Sequence, residues 1–174
     1  MAVPVLAIVG FSNSGKTTLM EKLIQALSAH GLHVCSIKHS HHQPEMDTPG
    51  KDSFRHKQAG ATGSLLVGPD QLMLVQDALP NKTPQALADT FFPDADLVLV
   101  EGYASMPCAK IEVVRGERSM DLRCPTDELL AVATDIKGLD VPVPTLDLND
   151  TQAIAQFILD WLSSYRHPRE GGNP

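Results

Sequence analysis

The chain has 174 residues, 43% of them hydrophobic, a length that suits one well-buried core better than two domains. Its formal net charge of −7 argues against a nucleic-acid partner or an anionic membrane surface, so any bound phosphate must be held by locally directed donors. No apolar run approaches the roughly 18 residues that span a bilayer, and the cysteines show no C-x-x-C pairing. We therefore expect a cytoplasmic protein with reduced thiols.

The first predicted elements are a strand and a helix joined by a glycine-containing loop. The apolar run VLAIVG has no basic leader and ends in this loop, which indicates a buried strand rather than a secretion signal. Leu19, Leu23 and Leu27 recur at helical spacing, so a helix is predicted from Lys16 to His30, followed by Gly31. A second strand is predicted over residues 32–39.

The next segment is polar and interrupts the strand and helix pattern. Residues 40–52 contain two prolines and a glycine, which predict a long loop. Loops of this length usually have a function. Asp52 or Ser53 can cap a short helix that runs to Ala61. SLLVG and QLMLVQ then flank Pro69-Asp70, which predicts an antiparallel hairpin.

The second half of the chain predicts further strands between two helices. Thr83-Pro84 is typical of a helix start, and the unbroken apolar run in DLVLVEGY indicates a strand buried on both faces of a parallel sheet. Strands are also predicted over 110–115, 129–134 and 143–148, before an amphipathic helix from Thr151 to Tyr165.

The order of these elements predicts the fold class and the domain boundaries. It predicts an α/β fold, a mostly parallel sheet flanked by helices, with an inserted antiparallel hairpin region. We expect residues 1–165 to form a single domain. Residues 166–174 are polar and rich in glycine and proline, so we predict a disordered tail.

The strongest motif is the stretch GFSNSGKT, which fits G-x-x-x-x-G-K-[ST] and lies between a predicted strand and a predicted helix. In such a phosphate loop, backbone N–H groups converge on phosphate oxygens at the positive end of the helix. The motif predicts a P-loop NTPase domain that binds a nucleotide with Mg²⁺. Its predicted nucleotide contacts are Gly10, Asn13, Ser14, Gly15, Lys16, Thr17 and Thr18.

Two carboxylates are candidates for binding magnesium or orienting water beside this loop. Glu101 ends the predicted LVLV strand at the edge where parallel sheets present their ligands, so it is the candidate partner of Thr17 in holding magnesium. Asp96 begins the same strand and is expected to cap or face solvent. Asp47 comes from the long polar loop and is the candidate to orient an attacking water or bind magnesium through water. A solvated loop acid is the alternative for Asp47.

Base recognition has a weaker signal. Asn81-Lys82-Thr83-Pro84 resembles a guanine-binding motif, but Pro84 stands where that motif requires Asp. Asp135 follows the LLAVA strand and is placed to accept two N–H bonds from guanine, which would reject adenine. An alternative is that Asp135 is a turn residue.

The residues as a set resemble a known family. The combination of GFSNSGKTTL, IKHSHH, MDTPGKDSFRHKQAGA and DLVLVEGY, over residues 4 to 160, is similar to the molybdopterin-guanine dinucleotide biosynthesis protein B (MobB) family of bacterial molybdenum cofactor assembly. The resemblance implies that the segment from Asp47 through Thr48 and Pro49 to Gly50 lies near the nucleotide and that Thr17 and Glu101 bind Mg²⁺. One departure is that Tyr103 is followed by Ala104, where the family commonly has lysine.

The resemblance also implies a function. It implies a GTP-binding protein, at most a slow GTPase, that assists a separate guanylyltransferase in joining GMP to molybdopterin. It implies a homodimer to which the hairpin region contributes, and direct binding of molybdopterin stays open. One alternative is a GTP-dependent metallochaperone that uses His39, His41 and His42, although their spacing does not suit a tetrahedral set. Another is a small-molecule P-loop kinase, but no arginine-rich lid is evident.

Overall fold

The computed structural model describes residues 2–40 and 47–166 of the chain. Within these ranges there are eight strands, four α-helices and one turn of 3₁₀-helix, Thr126–Glu128. The strands are β1 Val5–Val9, β2 Val34–Lys38, β3 Gly63–Val67, β4 Leu72–Gln76, β5 Leu97–Glu101, β6 Ala109–Val114, β7 Leu129–Thr134 and β8 Thr145–Asp147. The helices are α1 Lys16–Ala29, α2 Asp52–Gln58, α3 Pro84–Phe91 and α4 Thr151–Arg166.

Six of the strands form one parallel sheet with the order β2-β5-β1-β6-β7-β8. The first strand lies inside this sheet, with Val5 opposite Val98 of β5 and Leu6 opposite Ala109 of β6. Every residue of β1 is buried, as the apolar run VLAIV predicts for a strand covered on both faces. The predicted α/β class is confirmed. Because all six strands are parallel, their carboxyl ends share one edge of the sheet.

Each face of the sheet has its own hydrophobic core. Leu6 and Ile8 point to the face covered by α1 and α4, where they join Leu23 and Ile158. The intervening residues of β1 point to the other face, in a cluster that includes Ala88 of α3. Helices therefore pack against both faces of the central strands, and the loops that leave the carboxyl edge start from these buried strands.

The chain divides into two compact units. The smaller unit is Ser40–Lys82, and the larger unit contains the described residues before and after it. In the smaller unit β3 and β4 pair antiparallel, which confirms the predicted hairpin. The expectation of a single domain over residues 1–165 stays a prediction.

Helix caps agree with the sequence at one helix and not at another. The Thr83 hydroxyl accepts a hydrogen bond from the Ala86 N–H at 3.3 Å, so the predicted cap of α3 is confirmed. The cap predicted for α2 is wrong, because Lys51 holds the extended N-cap conformation and no side chain caps the helix. Asp52 is instead the first helical residue, where its negative charge interacts favourably with the positive end of the helix dipole.

Element ends differ from the predicted ends by a few residues. The second strand begins at Val34, because the His33 N–H just before it donates to the Asp96 carboxylate at 2.9 Å. The final helix continues to Arg166, and residues 167–174 of the predicted tail lie outside the described residues. Among the described helices none is long and apolar enough to cross a membrane.

Candidate functional site

The loop between β1 and α1 has the backbone geometry of a phosphate loop. Three of its residues have positive φ: Gly10 at 138°, Asn13 at 60° and Gly15 at 95°. A Cβ atom on Gly10 would lie 2.5 Å from the Val113 carbonyl oxygen of the neighbouring strand. The first glycine of the motif is therefore required because β1 and β6 approach each other closely here, and not only for its conformational freedom.

The polar groups of this loop fit an anion. The Lys16 ammonium donates to the Phe11 carbonyl oxygen at 2.6 Å, which folds the lysine back over the loop. The Ser14 hydroxyl is buried, and it has no hydrogen-bond partner within residues 2–40 and 47–166. A buried hydroxyl needs a partner. The oxygen of a bound phosphate would supply one, so the residues present suit this ligand.

Burial changes the acid–base behaviour of Lys16. Desolvation lowers the pKa of the Lys16 ammonium from its ordinary value of 10.5, and the positive charges of Arg123 and Lys38 lower it further, while Glu101 opposes the shift. A partly desolvated cation near other cations is stabilised when an anion binds beside it. The surroundings of Lys16 therefore favour the binding of an anion such as a phosphate group.

Glu101 and Thr17 meet beside the loop, as predicted. The Thr17 hydroxyl donates to Glu101 Oε1 at 2.9 Å, although the two residues are far apart in sequence. The Lys38 ammonium donates to both Glu101 oxygens, at 3.2 and 3.3 Å, because Lys38 and Glu101 are paired across β2 and β5. A hydroxyl and a carboxylate at this spacing are the hard oxygen ligands that Mg²⁺ prefers.

The predicted loop contacts from Asp47 to Gly50 belong to the smaller unit. Asp47 Oδ1 accepts the Thr48 N–H at 2.7 Å, and the Thr48 carbonyl accepts the Lys51 N–H, so this segment forms a tight turn around Pro49. Gly50 has a φ of 84°. Asp47 Oδ2 is buried without a hydrogen-bond partner in the described part of the chain. The nucleotide-related role of this segment stays a prediction.

Asp135 lies directly after β7, at the carboxyl edge of the sheet. Its Oδ1 accepts the Gly116 N–H at 2.9 Å, so it holds together the loops that follow β6 and β7. The bond joins two separate loops, so the alternative that Asp135 is a turn residue stays a prediction. A carboxylate has about four acceptor positions, so the bond to Gly116 does not exhaust Asp135, and base recognition stays a prediction.

The histidine cluster is only partly described. The His39 ring packs against Tyr103, with ring centroids 4.3 Å apart. Tyr103 itself is buried and has a positive φ of 59° directly after Gly102. His41 and His42 lie outside the described residues. In residues 2–40 and 47–166 no group of three or more His, Cys, Asp or Glu side chains could hold a metal ion.

Sequence reasoning missed the charged residues inside β6. Lys110 and Glu112 are both 0% exposed, and they share the face of the strand opposite to Ile111. Lys110 pairs with Glu128, and Glu112 accepts the backbone N–H groups of Arg123 and Cys124 at 2.5 and 3.0 Å. The signal was available in KIEVV, where two charges alternate with apolar residues in a strand flanked by buried strands.

The same network encloses a cysteine. Burial, with the negative charge of Glu112 second, raises the pKa of the Cys124 thiol to about 11. This thiol is therefore neutral near pH 7 and is not a reactive thiolate. Burial also raises the pKa of Cys35 and Cys108, and all three cysteines are free thiols.

Comparison with known proteins agrees with this geometry. The family model described as molybdopterin guanine dinucleotide synthesis protein B, MobB, matches residues 5–135. A molybdopterin-guanine dinucleotide biosynthesis adapter protein of Haemophilus influenzae is 39% identical over 96% of this chain and 94% of its own length. The adapter protein of the same name from Escherichia coli is 36% identical over 92% and 94%.

Solved structures agree as well. The crystal structure of Bacillus subtilis MobB superimposes with a TM-score of 0.72 at 27% identity, over 90% of this chain and 96% of that one. A further crystal structure of molybdopterin-guanine biosynthesis protein B gives a TM-score of 0.71 at 25% identity, over 91% and 99%. The fold is thus the P-loop NTPase fold of these neighbours. From the match over residues 5–135 and from these relatives, the chain belongs to the MobB family.

Proposed function

We propose that this chain is a GTP-binding adapter protein of molybdopterin-guanine dinucleotide biosynthesis, which assists a guanylyltransferase in attaching GMP to molybdopterin. The observation that carries the proposal is the contact between Thr17 and Glu101 at 2.9 Å beside a complete phosphate loop. The names of the relatives from Haemophilus influenzae and Escherichia coli support the pathway.

In this proposal GTP binds at the phosphate loop together with Mg²⁺. The backbone N–H groups from Asn13 to Thr18 hold the phosphate oxygens, and Lys16 turns from the Phe11 carbonyl to the terminal phosphates. Thr17 and Glu101 would hold a magnesium ion, which would neutralise part of the phosphate charge. Lys38 holds the Glu101 carboxylate beside Thr17, since its ammonium donates to both carboxylate oxygens.

Asp135 reads the base in this proposal. The oxygen that is not bonded to Gly116 accepts N–H groups of guanine, and adenine would leave that oxygen without a donor. GTP is therefore preferred over ATP. Calorimetric titration with each nucleotide and Mg²⁺ tests the preference, and equal affinity for the two would remove the guanine assignment.

The protein acts by coupling rather than by rapid turnover. We propose that Asp47 orients a water at the γ-phosphate in a slow GTPase, and that nucleotide occupancy shifts the segment from Ser40 to Asp52, of which residues 41–46 lie outside the described residues, between two arrangements. One arrangement is recognised by the guanylyltransferase. Because such coupling is reciprocal, the transferase tightens GTP binding by the same factor by which GTP tightens transferase binding.

The decisive experiment is a reconstituted guanylyltransferase reaction with molybdopterin and limiting GTP. Wild-type protein should stimulate product formation, whereas Lys16→Ala should not, and neither should form product without the transferase. Lys22→Ala, an exposed lysine farther along the same helix, is the matched control. Equal stimulation by wild type and Lys16→Ala would mean that stimulation of the transferase does not depend on nucleotide binding at the phosphate loop.

We further propose that the protein is a cytoplasmic homodimer joined through the hairpin. Leu66, Val67 and Leu72 are 53%, 70% and 67% exposed on β3 and β4, and their side chains lie on both faces of this two-stranded sheet. Large apolar side chains that stay exposed on a two-stranded sheet often mark an interaction surface. A second copy of the chain would cover these side chains.

Sedimentation velocity tests this dimer. Leu66→Asp together with Leu72→Asp should give a monomer, because a charge cannot be buried in an apolar interface without a partner. Gln71→Asp, in the turn between the two strands, is the control and should leave the dimer intact. A wild-type monomer at micromolar concentration would contradict the proposal.

A further inference from the structure

The loop that follows β6 carries positive charge to the phosphate loop. Residues 115–123 include Arg115, Arg118 and Arg123, in a chain whose formal net charge is −7. Two of these arginines lie against the loop. Arg123 Nη1 donates to the Gly10 carbonyl oxygen at 3.4 Å, and Arg115 Nη2 is 3.1 Å from the position of a Cβ atom on Gly15.

These two arginines are held differently. The Nε atom of Arg115 is buried and has no hydrogen-bond partner in the described ranges, so this side chain is packed against the backbone of the phosphate loop. Arg123 is exposed, and its contact with Gly10 is at the long end of the hydrogen-bond range. A guanidinium has five N–H donors, of which this contact uses one. Arg123 is therefore the arginine that is able to reach a ligand.

The backbone N–H of Arg123 is held by the buried carboxylate of Glu112. Glu112 is 0% exposed and accepts the N–H groups of Arg123 and of the next residue, at 2.5 and 3.0 Å. Charge-assisted bonds of this kind are stronger than neutral ones. The buried glutamate thus determines where the loop crosses the sheet edge and keeps the arginine beside Gly10.

Arg123 also stands close to Lys16, because the two side chains donate to the neighbouring carbonyl oxygens of Gly10 and Phe11. Two cations held beside one loop repel each other unless an anion lies between them. Lysine at this position of the motif reaches the β- and γ-phosphates. In the proposed binding of GTP, the β- and γ-phosphates are therefore the groups that could contact both Lys16 and Arg123.

We propose that Arg123 is a ligand of the β- and γ-phosphates of the bound nucleotide, supplied by the same chain, and that Glu112 is its positioning residue. The inference rests on the proposed binding of GTP. It adds a phosphate ligand from the loop after β6, outside the G-x-x-x-x-G-K-T motif, and it assigns a purpose to a charge buried inside a strand.

The test is calorimetric titration of the full chain with GTP and Mg²⁺. Arg123→Ala should weaken GTP binding at least about tenfold, as expected for loss of a hydrogen bond between charged groups. Arg123→Lys should recover part of the loss, since lysine keeps the charge without the fork of donors. Arg118→Ala, on the same loop, is the matched control and should bind like wild type.

The positioning role has its own measurement. Glu112→Gln should weaken GTP binding in the wild-type background and have little further effect when Arg123 is already alanine, because the glutamate acts through the arginine. A purely structural glutamate would weaken binding equally in both backgrounds. If Glu112→Gln does not fold by circular dichroism, Glu112→Asp, which withdraws the carboxylate by one methylene, replaces it in the same cycle.

The outcomes separate this inference from the proposed function. If wild type and Arg118→Ala bind GTP and Arg123→Ala binds it equally well, the role of Arg123 is refuted while nucleotide binding stands. If wild type does not bind GTP, both proposals fail. If Arg123→Ala loses affinity for GTP and the loss disappears at high salt, where the interaction is screened, the electrostatic contact is supported.

Discussion

Replacing Gly10 by alanine probes the closest backbone approach in the site. The new Cβ atom would lie 2.5 Å from the Val113 carbonyl oxygen and 3.1 Å from Ser14 Oγ. An ordinary carbon–oxygen contact is about 3.3 Å or longer, so strand β6 or the loop must move by roughly 0.8 Å. Positive φ adds strain of about 1–2 kcal/mol for a residue with a Cβ atom, and overpacking adds about 1–3 kcal/mol.

We therefore expect Gly10→Ala to lower the free energy of unfolding by about 2–5 kcal/mol. Gly31→Ala is the matched control, because Gly31 has a φ of 82° and no atom within 4 Å of the added Cβ position. The control should lose only the backbone term. Urea unfolding followed by circular dichroism measures both. A loss for Gly10→Ala no larger than that for Gly31→Ala would refute the argument from the contact with Val113.

Three further predictions concern the ligands. Lys16→Ala should weaken GTP binding by about 1.5–3 kcal/mol in calorimetry, and a change below about tenfold with the fold intact would count against the lysine. Glu101→Gln should reduce Mg²⁺ affinity, measured by magnesium titration of GTP binding, while Asp47→Asn should reduce GTPase rate more than binding; an unchanged rate would exclude the role of Asp47. GTP affinity should fall as pH rises through the lowered pKa of Lys16, below 10.5, because phosphate binds the charged form. Titration in buffers of different ionisation heat should show proton uptake in that range, and its persistence in Lys16→Ala would assign it to another group.

The contact between Thr17 and Glu101 shows what sequence reasoning can reach. The motif fixed Thr17 at the start of a helix, and the apolar run before Glu101 indicated an interior parallel strand. The carboxyl ends of parallel strands lie at the same edge of a sheet. The proximity of Thr17 and Glu101 could therefore be predicted from the order of the elements alone. The hydrogen bond at 2.9 Å confirms this reasoning.

The interaction of Arg123 with Gly10 could not be predicted in the same way. The two residues are 113 positions apart, and the arginine lies in an irregular loop without a periodic pattern. Its place depends on Glu112, and the charges in KIEVV do not indicate which backbone groups this buried carboxylate binds. Local residue preference also gave the wrong cap for α2. Asp52 is a good capping residue, but the N-cap position is one residue earlier, at Lys51.

The position of β1 inside the sheet has a consequence for how the protein folds. Its neighbours are not next in sequence: Val5 pairs with Val98, and Leu6 with Ala109. The two sides of the phosphate loop therefore form only after a large part of the chain has been synthesised, whereas the hairpin pairs Gly63 with Gln76 and closes locally. Since each doubling of a closing loop costs only about 0.6 kcal/mol, segments of very different length can be accommodated between β2 and β5 without loss of the sheet. We expect β3 and β4 to begin to pair on a nascent chain in which β1 still lacks both of its neighbouring strands.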